Sequence, residues 1–143
     1  MATNPRLMAD ALYQAILGHS WSISSLSIER RNWVQASVTE LSTPALYVVP
    51  GGVDVSRIGR IDWQYDSAVN VFVGRHVETD SQVDDMYDLI DDLMAFIRAT
   101  PLTGVTTSPQ QVTVEINADD TLSERNVWKA VLTVTYRNLS SDS

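Results

Sequence analysis

The first amphipathic segment lies near the start of the chain, from Pro5 to Leu17. Its apolar residues recur every three or four positions, which is the period of a helix with one buried face. Asn4 is a good N-cap, proline suits the first helical position, and Gly18 suits a left-handed residue after the last turn. We expect Trp21 to anchor the end of this helix. The stripe predicted to be buried consists of Met8, Ala11, Leu12, Ala15 and Ile16.

A second amphipathic helix is predicted over residues 81–100, SQVDDMYDLIDDLMAFIRAT, with Asp80 or Ser81 as its N-cap. Its apolar residues again fall at steps of three and four, which predicts one buried face. The opposite side carries five aspartates, which are Asp84, Asp85, Asp88, Asp91 and Asp92.

The remaining apolar segments favour β-strands. Residues 23–31 alternate loosely, and residues 45–49 form a short buried strand that the Pro50-Gly51-Gly52 sequence is expected to end. In residues 61–77 the odd positions are mostly apolar, which predicts a long strand with a break at Asp66-Ser67.

Two further strands close the chain, at residues 111–117 and 126–137, with a turn at residues 118–120. The last strand has apolar residues on both faces, so we expect it to be central. The order α-β-β-β-α-β-β predicts an α+β fold, with two amphipathic helices on a single layer of mostly antiparallel or mixed sheet of about five strands. We expect one domain over residues 1–143, in which residues 140–143 are a flexible tail.

Composition narrows the class of protein. With 143 residues and 44% hydrophobic residues, the chain can bury a single core without metal or disulfide support. It has no cysteine, which excludes a disulfide framework, a thiolate metal site and a cysteine nucleophile. No secretory signal pattern and no apolar run of about 18 residues is present, so we expect a cytosolic chain with no membrane association.

Charge is distributed unevenly. The net charge is −8, and Lys129 is the single lysine, which argues against a phosphate-binding surface. Residues 1–60 have a net charge of +1, whereas residues 61–99 have nine acidic and two basic side chains. One part of the molecule is therefore near neutral with several arginines and another is strongly acidic, so one copy can attract a second.

Few residues suggest catalysis. His19 is expected to meet free carbonyl groups at the end of the first helix. His76, Glu78 and Asp80 would lie on one side of a continuous strand, which leaves a small metal-dependent enzyme or ligand-binding domain as an alternative. The chain has no G-x-S-x-G motif, and PGGVDVSRIGR lacks the lysine of a phosphate loop.

The charged segments suggest contact with another protein. Arg57 and Arg60 lie in a glycine-containing loop, and Arg30 and Arg31 precede Trp33. A flexible turn and a charged strand edge are the simpler interpretations, and a solvated surface is the simpler one for the acidic helix. The alternatives are arginine patches that meet the aspartates of a neighbouring subunit, or mimicry of DNA phosphates by the acidic helix.

With these elements in place, the sequence resembles the tail terminator (tail completion, neck) proteins of long-tailed bacteriophages. The resemblance covers most of the chain. It includes the N-terminal helix, the E-R-R segment at residues 29–31, the V-V-P-G-G strand end at residues 48–52, Ser56-Arg57, the long strand and the second helix.

The resemblance implies a small α/β subunit that forms a six-fold ring in the virion, on the end of the tail tube. Such a ring stops tail polymerisation and joins tail to head, while DNA passes through without sequence-specific binding. Expected partners are five further copies, the tail tube protein and the head-tail connector, and another ring of the neck or baseplate is the alternative. We expect no catalysis, cofactor or metal. The interface predicted from charge consists of Arg30, Arg31, Arg57, Arg60, Asp84, Asp85, Asp88, Asp91 and Asp92.

Overall fold

The structure, a computed structural model, describes residues 5–21, 23, 25–32, 43–60, 62–100, 102, 109–116 and 127–141. The predicted order of elements is confirmed. The elements are α1 (Pro5–Leu17), β1 (Ser27–Arg30), β2 (Ala45–Arg57), β3 (Asp62–His76), α2 (Asp80–Ala99), β4 (Pro109–Ile116) and β5 (Val127–Ser141).

The strands form one mixed sheet in the order β1-β2-β3-β5-β4. β1 and β2 are parallel, and every other neighbouring pair is antiparallel. β5 lies between β3 and β4, as its two apolar faces predict. The α+β fold class expected from the sequence is therefore confirmed.

Both helices contribute to a single large core on one face of the sheet. Met8, Leu12 and Ile16 of α1 pack in the same cluster as Met86 and Leu93 of α2. The sheet side of this cluster is formed by Leu46, Val48, Val69, Val71, Val73, Trp128, Ala130, Leu132, Val134 and Tyr136. Burial of these side chains is the main source of stability.

The ends of α1 differ in part from prediction. Its bounds are as expected, but Gly18 does not adopt the left-handed conformation. Instead the backbone N–H of His19 donates to the carbonyl of Ile16 at 3.2 Å, and the indole N–H of Trp21 donates to the same carbonyl at 3.0 Å. These two bonds satisfy the carbonyl of Ile16 in the last turn without a left-handed residue. The predicted N-cap, Asn4, lies outside the described residues.

The N-cap of α2 is Thr79, and the prediction of Asp80 or Ser81 is wrong. Thr79 has extended backbone angles, and its hydroxyl accepts a hydrogen bond from the backbone N–H of Gln82 at 3.3 Å. Because Asp80 is already helical, its side chain does not take the capping position.

The expected end of β2 at Pro50-Gly51-Gly52 is also wrong. β2 continues to Arg57 through a bulge between Pro50 and Val53. The backbone carbonyl of Val48 accepts a bond from Arg31, on the β1 side of β2. Backbone N–H and C=O groups of alternate residues in a strand point to the same side, so the nitrogen of Pro50 also faces the β1 side of β2. The last β1 pair is Arg30 with Val48, so Pro50 lies beyond the end of β1. Proline is tolerated there because no ladder bond is lost.

β3 runs from Asp62 to His76 without the break predicted at Asp66-Ser67. Ser67 is fully buried and lies opposite Val53 on one side and Tyr136 on the other. Asp66 is accommodated because Arg137 on β5 neutralises it. The predicted turn at residues 118–120, as well as Trp33 and Ile61, lies outside the described residues.

Candidate interaction surfaces

At one end, the sheet narrows to three strands. The last pair between β1 and β2 is Arg30 with Val48, and the pairs between β4 and β5 stop at Tyr136. β2, β3 and β5 continue past these points. We call residues 53–57, 62–67 and 137–141 the arm, and the connection at residues 58–61 its tip.

The bulge in β2 sets which side chains of the arm share a face. Before it, Val48 points toward the helices. After it, Val53 pairs with Ser67 and Val55 with Tyr65, so odd-numbered residues now point to that side. A bulge adds one unpaired residue and therefore exchanges the faces of everything that follows.

Gly51 is the residue of the bulge that requires the absence of a side chain. A Cβ atom at Gly51 would lie 2.9 Å from the backbone oxygen of Ala68 and 3.0 Å from its Cβ. A Cβ atom at Gly52 would have no heavy atom within 4 Å. The close approach of β2 to β3 at this point therefore depends on Gly51.

One side of the arm is apolar and exposed. Val53 is 43% exposed, Val55 is 49% exposed, and Ile58 at the tip is 52% exposed. Trp63 and Tyr65 are half-buried on the adjacent strand. We call Val53 and Val55, which share this face, the apolar row. Ile58 lies opposite Asp62 at the tip, so alternation places it on the other face. Contiguous exposed apolar side chains of this kind are typical of protein contact sites.

The opposite face of the arm is polar and internally paired. Arg137 donates to both oxygens of Asp66, from Nε at 2.8 Å and from a terminal nitrogen at 3.1 Å. Gln64 donates to the same carboxylate at 3.2 Å. The hydrogen bond from Arg137 lowers the pKa of Asp66 below its ordinary value.

The tip is organised by Arg57. Its guanidinium group donates to the carbonyl of Gly59 at 3.0 Å and to that of Arg60, and it lies over the ring of Trp63 at 5.5 Å. Arg60 is exposed and forms no ion pair with any residue that the structure describes. Arg57 therefore shapes the tip, and Arg60 has a charge available for another molecule.

Arg30 and Arg31 belong to a different surface. Arg30 forms an ion pair with Asp10 of α1 at 2.8 Å, and Arg31 forms one with Glu29 at 2.6 Å. Arg57 lies nine residues beyond Val48, the partner of Arg30, which corresponds to roughly 30 Å along a strand. The arginines of the predicted interface are therefore separated into two groups.

The aspartates of the predicted interface are brought together on α2. Asp84, Asp85, Asp88, Asp91 and Asp92 are all exposed. Tyr87 lies at the flank of this acidic face, is 43% exposed, and contacts Trp128 of β5 edge to face at a centroid distance of 5.4 Å.

The residues considered for metal binding do not converge. Within the described ranges, no three histidine, aspartate or glutamate side chains are placed to share a metal ion. Asp80 is the first residue of α2, and the backbone N–H of Glu78 donates to Gln82 at 2.6 Å. His19 follows α1, but its ring packs against Trp21 and Phe96 with centroid distances of 4.4 and 4.5 Å, and the expected contact of the ring with free helix carbonyl groups is not seen among the described residues.

Sequence reasoning missed the apolar row. The signal was the alternation Val53-Asp54-Val55-Ser56, but it follows Pro-Gly-Gly, which usually ends a strand. The Asp66–Arg137 pair had no local signal, because its members are 71 residues apart.

Among the described residues, no helix combines the length and the apolar composition required to cross a membrane. When the chain is compared with known proteins, no protein-family model matches it and no curated protein is significantly similar to it in sequence.

Proposed function

We propose that the chain is a structural subunit of a long-tailed bacteriophage, in which six copies form the ring that terminates the tail tube. Its sequence resembles tail terminators, and its α+β fold is compatible with the small subunit that this resemblance implies. The ring would stop tube polymerisation with one face and meet the head-tail connector with the other. No catalytic step or cofactor is part of this proposal.

The observation that carries the proposal is the separation of opposite charges within one subunit. Tyr87 on α2 contacts Trp128, and Trp128 pairs with Arg75 near the end of β3 that is farthest from the tip. Asp62, next to the tip, lies thirteen residues before Arg75, or roughly 43 Å along the strand. Arg60 at the tip therefore cannot reach the acidic face of its own subunit.

A contact between these two surfaces must then join two copies. Because the surfaces are different, the contact is heterologous, and repeated heterologous contacts give either a closed ring or an open filament. Six-fold closure is the form that the resemblance implies.

Charge also bears on the proposed passage of DNA. Six copies at −8 each carry a formal charge of −48. An acidic channel has few basic groups to bind phosphates, so DNA would slide through without adhering. The same charge makes the copies repel one another, so we expect assembly to depend on salt, divalent cations or a tube end as template.

The proposal is tested by adding the purified chain to polymerising tail tubes and measuring tube length by electron microscopy. We expect tubes of limited length with a ring of six subunits at one end. Tubes that grow unchanged and carry no added ring would contradict the tail-terminator function.

Arg60→Glu is the sharper test of the charged interface. We expect it to prevent ring formation while the subunit remains folded, because Arg60 is exposed and unpaired in the described part of the chain. Arg57→Glu should have the same effect but would also disturb the tip, since Arg57 holds two carbonyl groups of that segment. Normal rings from both variants would exclude this interface.

A further inference from the structure

The apolar row lies on the arm, which is a part of the sheet that the helices do not cover. Its two side chains are each about half exposed, whereas the alternating polar residues of the same strand, Asp54 and Ser56, point to the other face. We infer that the apolar row and the tip dock onto helix α2 of a second copy, centred on Tyr87. This inference rests on the proposed self-assembly, but it does not depend on a role in a phage tail.

The composition of the arm fits that surface. Val55 is a half-exposed apolar side chain, Arg57 lies on the same face two residues later, and the exposed cation of Arg60 follows at the tip. On α2, Tyr87 has Asp84 three residues before it and Asp91 four residues after it, so both carboxylates adjoin its ring on the helix surface. Each surface thus has an apolar centre with a charged rim, and the rims are of opposite sign.

A second copy is the occupant because the arm and α2 have charges of opposite sign around apolar side chains, and the two surfaces cannot meet within one chain. Tip and Tyr87 are roughly 40 Å apart in one subunit, so the contact cannot form within a chain. The two surfaces also lie on different parts of the molecule, so both remain available when many copies associate.

The row formed by Val53 and Val55 leads from the tip back toward the body of the sheet. A helix docked at the tip would extend along this row and cover it. The bulge at Gly51 is what turns both valines to the docking side, because without it Asp54 and Ser56 would lie there.

Cross-linking tests the predicted neighbours directly, since the natural chain has no cysteine. Chains with Val55→Cys are mixed with chains with Asp84→Cys and oxidised. We expect a disulfide-linked dimer, and a ladder of higher species when both substitutions are in one chain. The matched control replaces Ser56, on the polar face of the arm, with cysteine; mixed with Asp84→Cys chains, it should give no dimer.

A second measurement uses association in solution. Val55→Asp should raise the dissociation constant for self-association, measured by light scattering, at least about tenfold. Ser56→Asp adds the same charge on the opposite face and should leave this constant unchanged. Far-UV circular dichroism checks that both variants remain folded.

The outcomes separate this inference from the proposed function. Cross-linking without any effect on tail tubes would support the arm contact and contradict the tail-terminator role. Capped tubes without cross-linking would overturn the arm contact and leave the role intact. Equal association of Val55→Asp and Ser56→Asp, or a natural chain that remains monomeric even at high salt and with divalent cations and tube ends present, would also overturn the inference.

Discussion

Asp66 and Arg137 form a two-point ion pair across β3 and β5, within the three-stranded arm. On the other side of Asp66, β2 places Asp54 directly opposite. The guanidinium group of Arg137 therefore neutralises Asp66, although the carboxylate of Asp54 lies directly across from Asp66 on the other neighbouring strand. This relationship explains how a charged residue is retained within a long strand, and it has two measurable consequences.

Asp66→Asn should lower the free energy of unfolding by about 1 kcal/mol near neutral pH, because the pair is partly exposed. The pKa of Asp66 is lowered by Arg137, so the native carboxyl binds fewer protons than the unfolded one. The stabilisation is complete above the ordinary pKa of about 3.9 and is lost as pH falls through the lower native pKa. Urea unfolding of both chains at neutral and at strongly acidic pH measures this. A difference that does not shrink in acid would contradict it.

Arg137→Gln should destabilise the arm more than Asp66→Asn does. It removes the cation and leaves Asp54 opposite an uncompensated Asp66, and like charges directly across two strands repel. The double variant Asp54→Asn with Arg137→Gln should recover part of the loss. Urea midpoints of the single and double variants provide the comparison, and an absence of recovery would show that Asp54 is not involved.

Gly51→Ala should lower the free energy of unfolding by about 1–3 kcal/mol, because the added methyl group meets the backbone of Ala68. Gly52→Ala is the matched control, in the same bulge but with open space around its Cβ, and should change stability by less than about 0.5 kcal/mol. Thermal unfolding of the two variants distinguishes them. Equal effects would mean that the strands are not in close contact at Gly51.

Tyr136→Phe should leave stability unchanged or raise it slightly. The ring of Tyr136 is fully buried, and its hydroxyl has no hydrogen-bond partner in the described part of the chain. Burial accordingly raises the pKa of this hydroxyl. Removing an unsatisfied buried hydroxyl eliminates its desolvation cost while the packing remains. A loss above about 1 kcal/mol in urea unfolding would indicate a hydrogen bond to this group.

Thr79→Ala should destabilise α2 by about 1 kcal/mol, since it removes the side chain that caps the helix. Ser81→Ala, a change of similar size two residues later, should have a smaller effect because Ser81 is already within the helix. Urea unfolding followed by helical circular dichroism compares them. A larger effect at Ser81 would restore the sequence-based assignment of the cap.

Both helices, the order of all seven elements and the fold class could be predicted from the sequence alone. The reason is local, because apolar residues at steps of three and four in α1 and α2 specify which helix face is buried wherever the helix packs. The grouping of five aspartates on the exposed side of α2 follows from the same periodicity.

Tertiary structure decided how far the strands extend and which charges lie together. β2 passes through Pro50 because β1 ends at Arg30, and β3 passes through Asp66 because Arg137 lies beside it on β5. The same long-range pairing exposes the apolar row and separates Arg30 and Arg31 from the tip. Strand register depends on contacts between residues far apart in sequence, and local periodicity contains no information about them.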